Sequence, residues 1–247
     1  MNIVRAYRAL GPVDARSVRR DSLLRWFIFL PVLLVILLRI VVPLAAQLLW
    51  ERLRFDLLPY YSLINSFLYL ILPMLVGMVL GFLLLDQRDD NTLTALQVTP
   101  LSLNGYLAYR ISLPLLVAFV MTLVMVPLAG LAQLNPTAHL AAALCAAPLA
   151  PMFALFTAAF AQNKVQGFAV MKASSIISVP PLIAYFVTGW WQWLFGLAPT
   201  YWPVKVYWLL EAGSPLGWAA LLVGLLYQFL LIALLLRWFH AVMHVGK

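Results

Sequence analysis

The chain's 247 residues are 65% apolar and 10% charged, with a mean hydropathy of +0.98. That balance excludes an ordinary soluble domain, in which charged residues make up about 25%, and makes lipid the main solvent. The net charge of +8 does not indicate nucleic acid, because the basic residues are not interleaved with base-stacking aromatics on a water-soluble face.

In residues 1–22, Ile3, Val4, Tyr7 and Leu10 recur at helical spacing with Arg5 and Arg8 on other faces, as in a helix lying in the headgroup layer. Gly11-Pro12 is expected to break it, and residues 13–20 to start a second interfacial turn. The plainer reading is positive-inside anchoring alone. A membrane span needs about 20 apolar residues. Six stretches qualify, at about residues 23–49, 60–85, 111–131, 139–161, 168–190 and 216–238. They are continuously apolar rather than alternating, which excludes a closed barrel. The first run is too long, and begins too late behind five arginines, for a cleaved signal peptide, and is expected to stay as a span.

Arg5, Arg8, Arg16, Arg19, Arg20, Arg25, Arg88, Arg110, Lys164, Lys172, Arg237 and Lys247 fall on one side of these spans, and Arg52, Arg54 and Lys205 on the other. The positive-inside rule then places both termini in the cytoplasm of a multi-pass protein of the cell membrane. Arg39 lies about 14 residues beyond Arg25, roughly 20 Å along a helix. An arginine at that depth costs about 2.5 to 3.5 kcal/mol and is a candidate for substrate passage or gating. Snorkelling outward, or pairing with Asp56 or Glu51, is the bland alternative.

Other features are quieter. Cys145, the single cysteine, reads as a small buried residue. His139, His240 and His244 read as interfacial. Residues 190–215, rich in Trp and Tyr and interrupted by Pro199 and Pro203, are expected to form two short re-entrant helices in the outer leaflet. No internal repeat or linker divides the chain, so residues 1–247 are read as one all-α membrane domain.

The polar segment between spans 2 and 3, residues 86–110, carries the most information. Asp89, Asp90 or Asn91 can cap a short helix over residues 92–98, their charge favouring its N-terminus. Leu93, Leu96 and Gln97 share a face, and Thr99-Pro100 ends the helix. An alternative takes Asp86, Asp89 and Asp90 as half of a Mg²⁺ site in an intramembrane, prenyltransferase-like lipid-modifying enzyme; a second acidic loop is missing, since residues 162–166 contain no acid.

The order of these features resembles that of ABC-2 type transporter permeases over nearly the whole chain. In that family the loop after span 2 runs acid-Arg-acid-acid, Gly or Asn, Thr, Leu and closes in Thr-Pro-Leu-Ser. Asp86, Arg88, Asp89, Asp90, Asn91, Thr92 and Leu93, then Thr99, Pro100, Leu101 and Ser102, are similar to it, with Asn91 for the more frequent Gly and Ala95 where Glu is common. Residues 82–109 and the run from Arg8 to Arg16 look like fluoroquinolone-export permeases. The resemblance implies a coupling helix at residues 86–110 gripped by a separate ABC ATPase, with two permease chains, identical or paired, and two ATPase chains. ATP and Mg²⁺ would be bound by the partner, and the sequence itself has no phosphate loop. It further implies export of an amphiphilic drug or lipid-like substrate and a permease contact through spans 1 and 5, the latter offering Ser174, Ser175, Ser178 and Thr188.

Overall fold

The structure, a computed structural model, describes residues 3–89, 103–132 and 134–245. The first helix, α1 (Ile3–Arg20), runs straight through Gly11 and Pro12, which corrects the expected break. Pro12 removes one amide donor, while Ala6, Leu10 and Asp14, four residues apart, form a buried stripe on both sides of it. Packing along that stripe outweighs the local cost. Asp21 then caps α2 (Ser22–Leu53), accepting from the amides of Leu23 and Leu24 at 2.8 and 3.2 Å.

A short turn at Leu58–Tyr60 leads into α3 (Tyr61–Asp89), and α4 (Leu103–Ala129) follows. The fourth span is made of α5 (Pro136–Ala146) and α6 (Leu149–Phe160). It is interrupted at Ala147-Pro148, because Pro148 and Pro151 lack amides to continue the ladder. The fifth joins α7 (Lys164–Ser174) to α8 (Val179–Phe186) through a 3-10 turn at Ser175–Ser178. A 3-10 segment, Trp190–Leu197, and α9 (Tyr201–Glu211) form the expected pair of short helices before α10 (Leu216–Val245).

Six helical stretches are long and apolar enough to cross a membrane, in agreement with the sequence, and no strand occurs among the described residues. The protein is an all-α multi-pass membrane protein. The second and fourth spans are 72% and 83% buried, against 22% or less for the others, so α3 and the α5–α6 pair are the core and the rest surround it. Their contact depends on small residues. Gly77 and Gly81, one turn apart on α3, lie against Ala150, Ala154 and Thr157 of α6, the close approach that small residues allow between helices in lipid. On the other side, the alanine face of α5 (Ala138, Ala141, Ala142, Ala146) receives the large side chains of α9, including Tyr201, Trp202 and Tyr207. Cys145 is buried there, as expected.

A methyl group at Gly77 would sit 2.6 Å from the Ala150 carbonyl oxygen, whereas at Gly81 it would meet Thr157 at 3.1 Å. Gly77→Ala should therefore cost about 1 to 3 kcal/mol by overpacking against a backbone that cannot turn aside. Gly81→Ala should cost less, and thermal unfolding in detergent measures the difference.

Candidate functional site

The two helix ends that bracket residues 90–102 are held together by the N-terminal helix. Asp14 of α1 is buried and its carboxylate accepts four hydrogen bonds: from Tyr109 Oη at 2.8 Å, Arg110 Nη1 at 2.8 Å and Nη2 at 3.1 Å, and Gln87 Nε2 at 3.2 Å. Gln87 belongs to the end of α3, and Tyr109 and Arg110 to the start of α4. Gln87 Oε1 in turn accepts from Tyr106 at 2.9 Å, and the Arg110 guanidinium lies over the rings of Tyr106 and Tyr109. Tyr7 extends the contact, bonding Ser112 at 2.9 Å and meeting Tyr109 edge-on. A bidentate arginine with every carboxylate lone pair engaged can repay the desolvation of both charges.

Beside it lies a second, wetter cluster. Lys164, at the start of α7, reaches Asp21 at 2.5 Å and Asp86 at 3.0 Å. One ammonium thus joins the N-cap of α2, the end of α3 and the fifth span. The Asp21 carboxyl is held below its usual value by its hydrogen bond to Lys164, helped by the amides of Leu24 and Leu23 and opposed by burial. A carboxyl lowered on folding stabilises the fold fully above its ordinary value of 3.8 and loses that contribution as pH falls below it. The cluster is therefore intact at neutral pH.

Of the residues singled out in the sequence, Asp86 is described with Lys164 as its partner. Arg88 and Asp89 lie in the last turn of α3. Asp90, Asn91, Thr92, Leu93, Leu96, Thr99 and Pro100 lie outside the described residues. Arg39 sits at the other end of the bundle, where Nη1 donates to the Leu128 carbonyl at 2.9 Å. It caps the end of α4 beside Gly130, whose φ of +64° turns the chain away; its bond is to a main-chain carbonyl rather than to Asp56 or Glu51. His139 corrects the interfacial reading. It is 7% exposed, with Nδ1 2.7 Å from Tyr69 Oη and Nε2 3.1 Å from the Leu123 carbonyl. A carbonyl only accepts, so Nε2 carries the proton and Nδ1 accepts from Tyr69. It is buried because α9 packs over α5. Ser174 and Ser175 turn their hydroxyls back to Met171 and Lys172, and Ser178 points to Met74 Sδ.

Asp14, Asp21, Arg110 and Lys164 were not singled out as a group from the sequence. The available signal was that Asp14 and Asp21 are the acids of an otherwise basic leader, seven residues apart and so two turns along one helix face.

A family model described as "Fluoroquinolones export permease protein Rv2686c-like" matches residues 14–236. The chain belongs to that family. Two proteins of Mycobacterium tuberculosis are each 32% identical over 240 residues, 96% of this chain and 95% of theirs. They are named fluoroquinolones export permease protein MT2760 (strain CDC 1551 / Oshkosh) and Rv2686c (strain ATCC 25618 / H37Rv). No solved structure matches. The matched range begins at Asp14 and includes Asp21, Asp86, Arg110 and Lys164, so both charged clusters lie within the region common to the family.

The two clusters should differ in strength. Asp14→Ala leaves a buried guanidinium unpaired and should cost about 3 to 5 kcal/mol, of which the double replacement Asp14→Leu with Arg110→Met recovers a large part. Lys164→Met, at a pair about one-third exposed, should cost about 1 kcal/mol or less. Thermal unfolding of the purified variants tests both values.

Proposed function

We propose that this chain is the permease subunit of an ATP-driven exporter in the cell membrane. Both termini lie in the cytoplasm, and ATP is hydrolysed by a separate ABC ATPase. The observation that carries the proposal is the end-to-end match to proteins named as fluoroquinolones export permeases, joined to a sequence without a phosphate loop of its own. The working assembly has two permease chains and two ATPase chains. The substrate is an amphiphilic drug of the fluoroquinolone kind, or a lipid of similar shape.

In this reading the ATPase grips the coupling segment, residues 86–110, chiefly through Asp89, Asp90, Asn91, Thr92, Leu93 and Leu96, with Thr99-Pro100 closing it. Force applied there enters the membrane domain through the ends of α3 and α4. The Asp14 network supports transmission as a block, because α1, α3 and α4 are joined at one carboxylate. Asp86 adds a second route, through Lys164 to the fifth span and the start of α2. Arg39 acts at the opposite end, where a cation on the lightly buried first span meets the path of an amphiphile. The Mg²⁺-enzyme reading is less favoured, since Asp86 is already matched by an ammonium and the named relatives are permeases.

Two measurements test the proposal. Replacing Thr92, Leu93 and Leu96 by glutamate should abolish co-purification of the ATPase from native membranes while the permease still inserts; retained co-purification would remove the coupling assignment. Arg39→Leu should lower drug export in vesicles at least severalfold with the complex intact, and unchanged export would reduce Arg39 to a helix cap.

A further inference from the structure

The acids and bases of the N-terminal segment are sorted by face. Asp14 turns inward to the ends of α3 and α4, and Asp21 caps α2 and pairs with Lys164. The arginines turn the other way: Arg8, Arg16, Arg19 and Arg20 of α1 are exposed, as is Arg25 at the start of α2. Arg8, Arg16 and Arg19 are eight and three residues apart, and Arg20 follows Arg16 by four, so they share a side of α1 turned away from the buried stripe of Ala6, Leu10 and Asp14. None of these five arginines makes an ion pair or a ring contact among the described residues.

The far end of α2 lacks this sorting. Arg52 and Arg54 are exposed beside the exposed acids Glu51 and Asp56, and the Arg54 guanidinium lies over the Trp50 ring. At the α1 end, like charges face outward with no described acid to offset them, and their mutual repulsion is relieved when an anion covers them. What lies against that surface follows from continuity along the chain. Trp26 and Phe29, just after Arg25, are 73% and 64% exposed, and the first span as a whole is 17% buried, so lipid covers its apolar outer face. The headgroups of those lipids fall where the apolar run starts, at Arg25 and Trp26, with Arg19 and Arg20 immediately before them.

We propose that the arginine face of α1, together with Arg25, binds anionic phospholipid headgroups at the membrane surface. Charge complementarity selects the occupant. A basic residue beside an anionic leaflet strengthens attachment by about fivefold, whereas a zwitterionic headgroup brings its own ammonium to the same place. Lipid is favoured over an acidic protein surface because the acyl chains beneath those headgroups already cover Trp26 and Phe29. The inference rests on the N-terminal segment and the first span alone, so it stands whether or not an ATPase drives this chain.

The test uses the full-length chain without any ATPase, in a non-ionic detergent, titrated with dioleoyl phosphatidylglycerol and, separately, with dioleoyl phosphatidylcholine, the bound lipids being counted by native mass spectrometry. Phosphatidylglycerol should bind about fivefold more tightly at low salt, and the gap should narrow as ionic strength rises, because exposed charges are screened. R16Q/R19Q/R20Q/R25Q should bring phosphatidylglycerol down to the level of phosphatidylcholine. R16K/R19K/R20K/R25K should retain the preference, and R52Q/R54Q, at the far end of α2, should leave it unchanged. Equal binding of the two lipids by the unmodified chain overturns the proposal, as does an undiminished preference in the glutamine variant or an equal loss in R52Q/R54Q. A glutamine variant that keeps its lipid preference but no longer co-purifies with an ATPase from native membranes assigns the face to that protein instead, and overturns lipid as its partner. If the glutamine variant is not monodisperse, R16Q/R25Q is read in its place: a narrowed preference supports the proposal and an unchanged one overturns it.

Discussion

The carboxylate of Asp14 is the point on which the base of the bundle depends. Four donor atoms of three residues converge on it from two different helix ends, and a fourth residue, Tyr106, is tied in through Gln87. In a chain solvated by lipid, buried charges are tolerated only when paired and hydrogen-bonded. Each member therefore constrains the others: Arg110 cannot be buried without Asp14, and Asp14 reaches it only if α1 stays helical through Pro12. The unbroken N-terminal helix, the approach of α3 to α4 and the burial of two tyrosines follow from one ion pair.

The membrane-spanning architecture was legible because hydropathy over about 20 residues is a local signal, and lipid enforces it on every span. What depended on partners distant in sequence was hidden. Asp14 and Arg110 are 96 residues apart, so neither suggested the other, and Gly11-Pro12 looked like a break because the packing that overrides it comes from α3 and α4. His139 looked interfacial from its position at a span boundary. Its burial follows from α9 folding back over α5, which hydropathy does not encode. Arg39 stood out in the sequence as a cation within an apolar run, and its hydrogen-bond partner is a main-chain carbonyl, which no side-chain pattern reveals. The Gly77 and Gly81 spacing was visible in the sequence and went unused; its meaning depends on which helix it faces.

The two ends of the bundle are held by different physics. At the base, charged groups meet at points, one set buried around Asp14 and one partly exposed around Lys164. At the other end, α9 is fixed by aromatic contacts among Tyr69, Tyr207, Trp193, Tyr201 and Trp202 and by neutral hydrogen bonds such as Tyr69 to His139. Close-packed rings resist graded deformation, since displacement forfeits many small contacts at once. The middle, where α3 and α6 touch through glycine and alanine, leaves little room for sliding. A displacement that starts at the base is therefore carried by whole helices.

Which helices move together is decided by comparing the two ionic clusters. Arg110 and Asp14 are 2% and 7% exposed in their side chains, and parting them would strand charges in a dry site at a cost of about 3 to 5 kcal/mol. Lys164, Asp21 and Asp86 are 32%, 24% and 31% exposed, so water can replace each contact as it opens, at about 0 to 1 kcal/mol. A force on the ends of α3 and α4 thus meets a weak seam at Lys164 before it meets a strong one at Asp14. The seam lies between α7 and the pair formed by α2 and α3, while α1, α3 and α4 hold together. The fifth span is already divided by its 3-10 turn and by Pro180 and Pro181, so its lower half, α7, is a separate helix from α8. Of the two ionic links at the base, the one at Lys164 is therefore the weaker, and α7 is held there as well by the close approach of Gly167 to Phe82 and Leu85 and by Phe168 against Phe27 and Phe82.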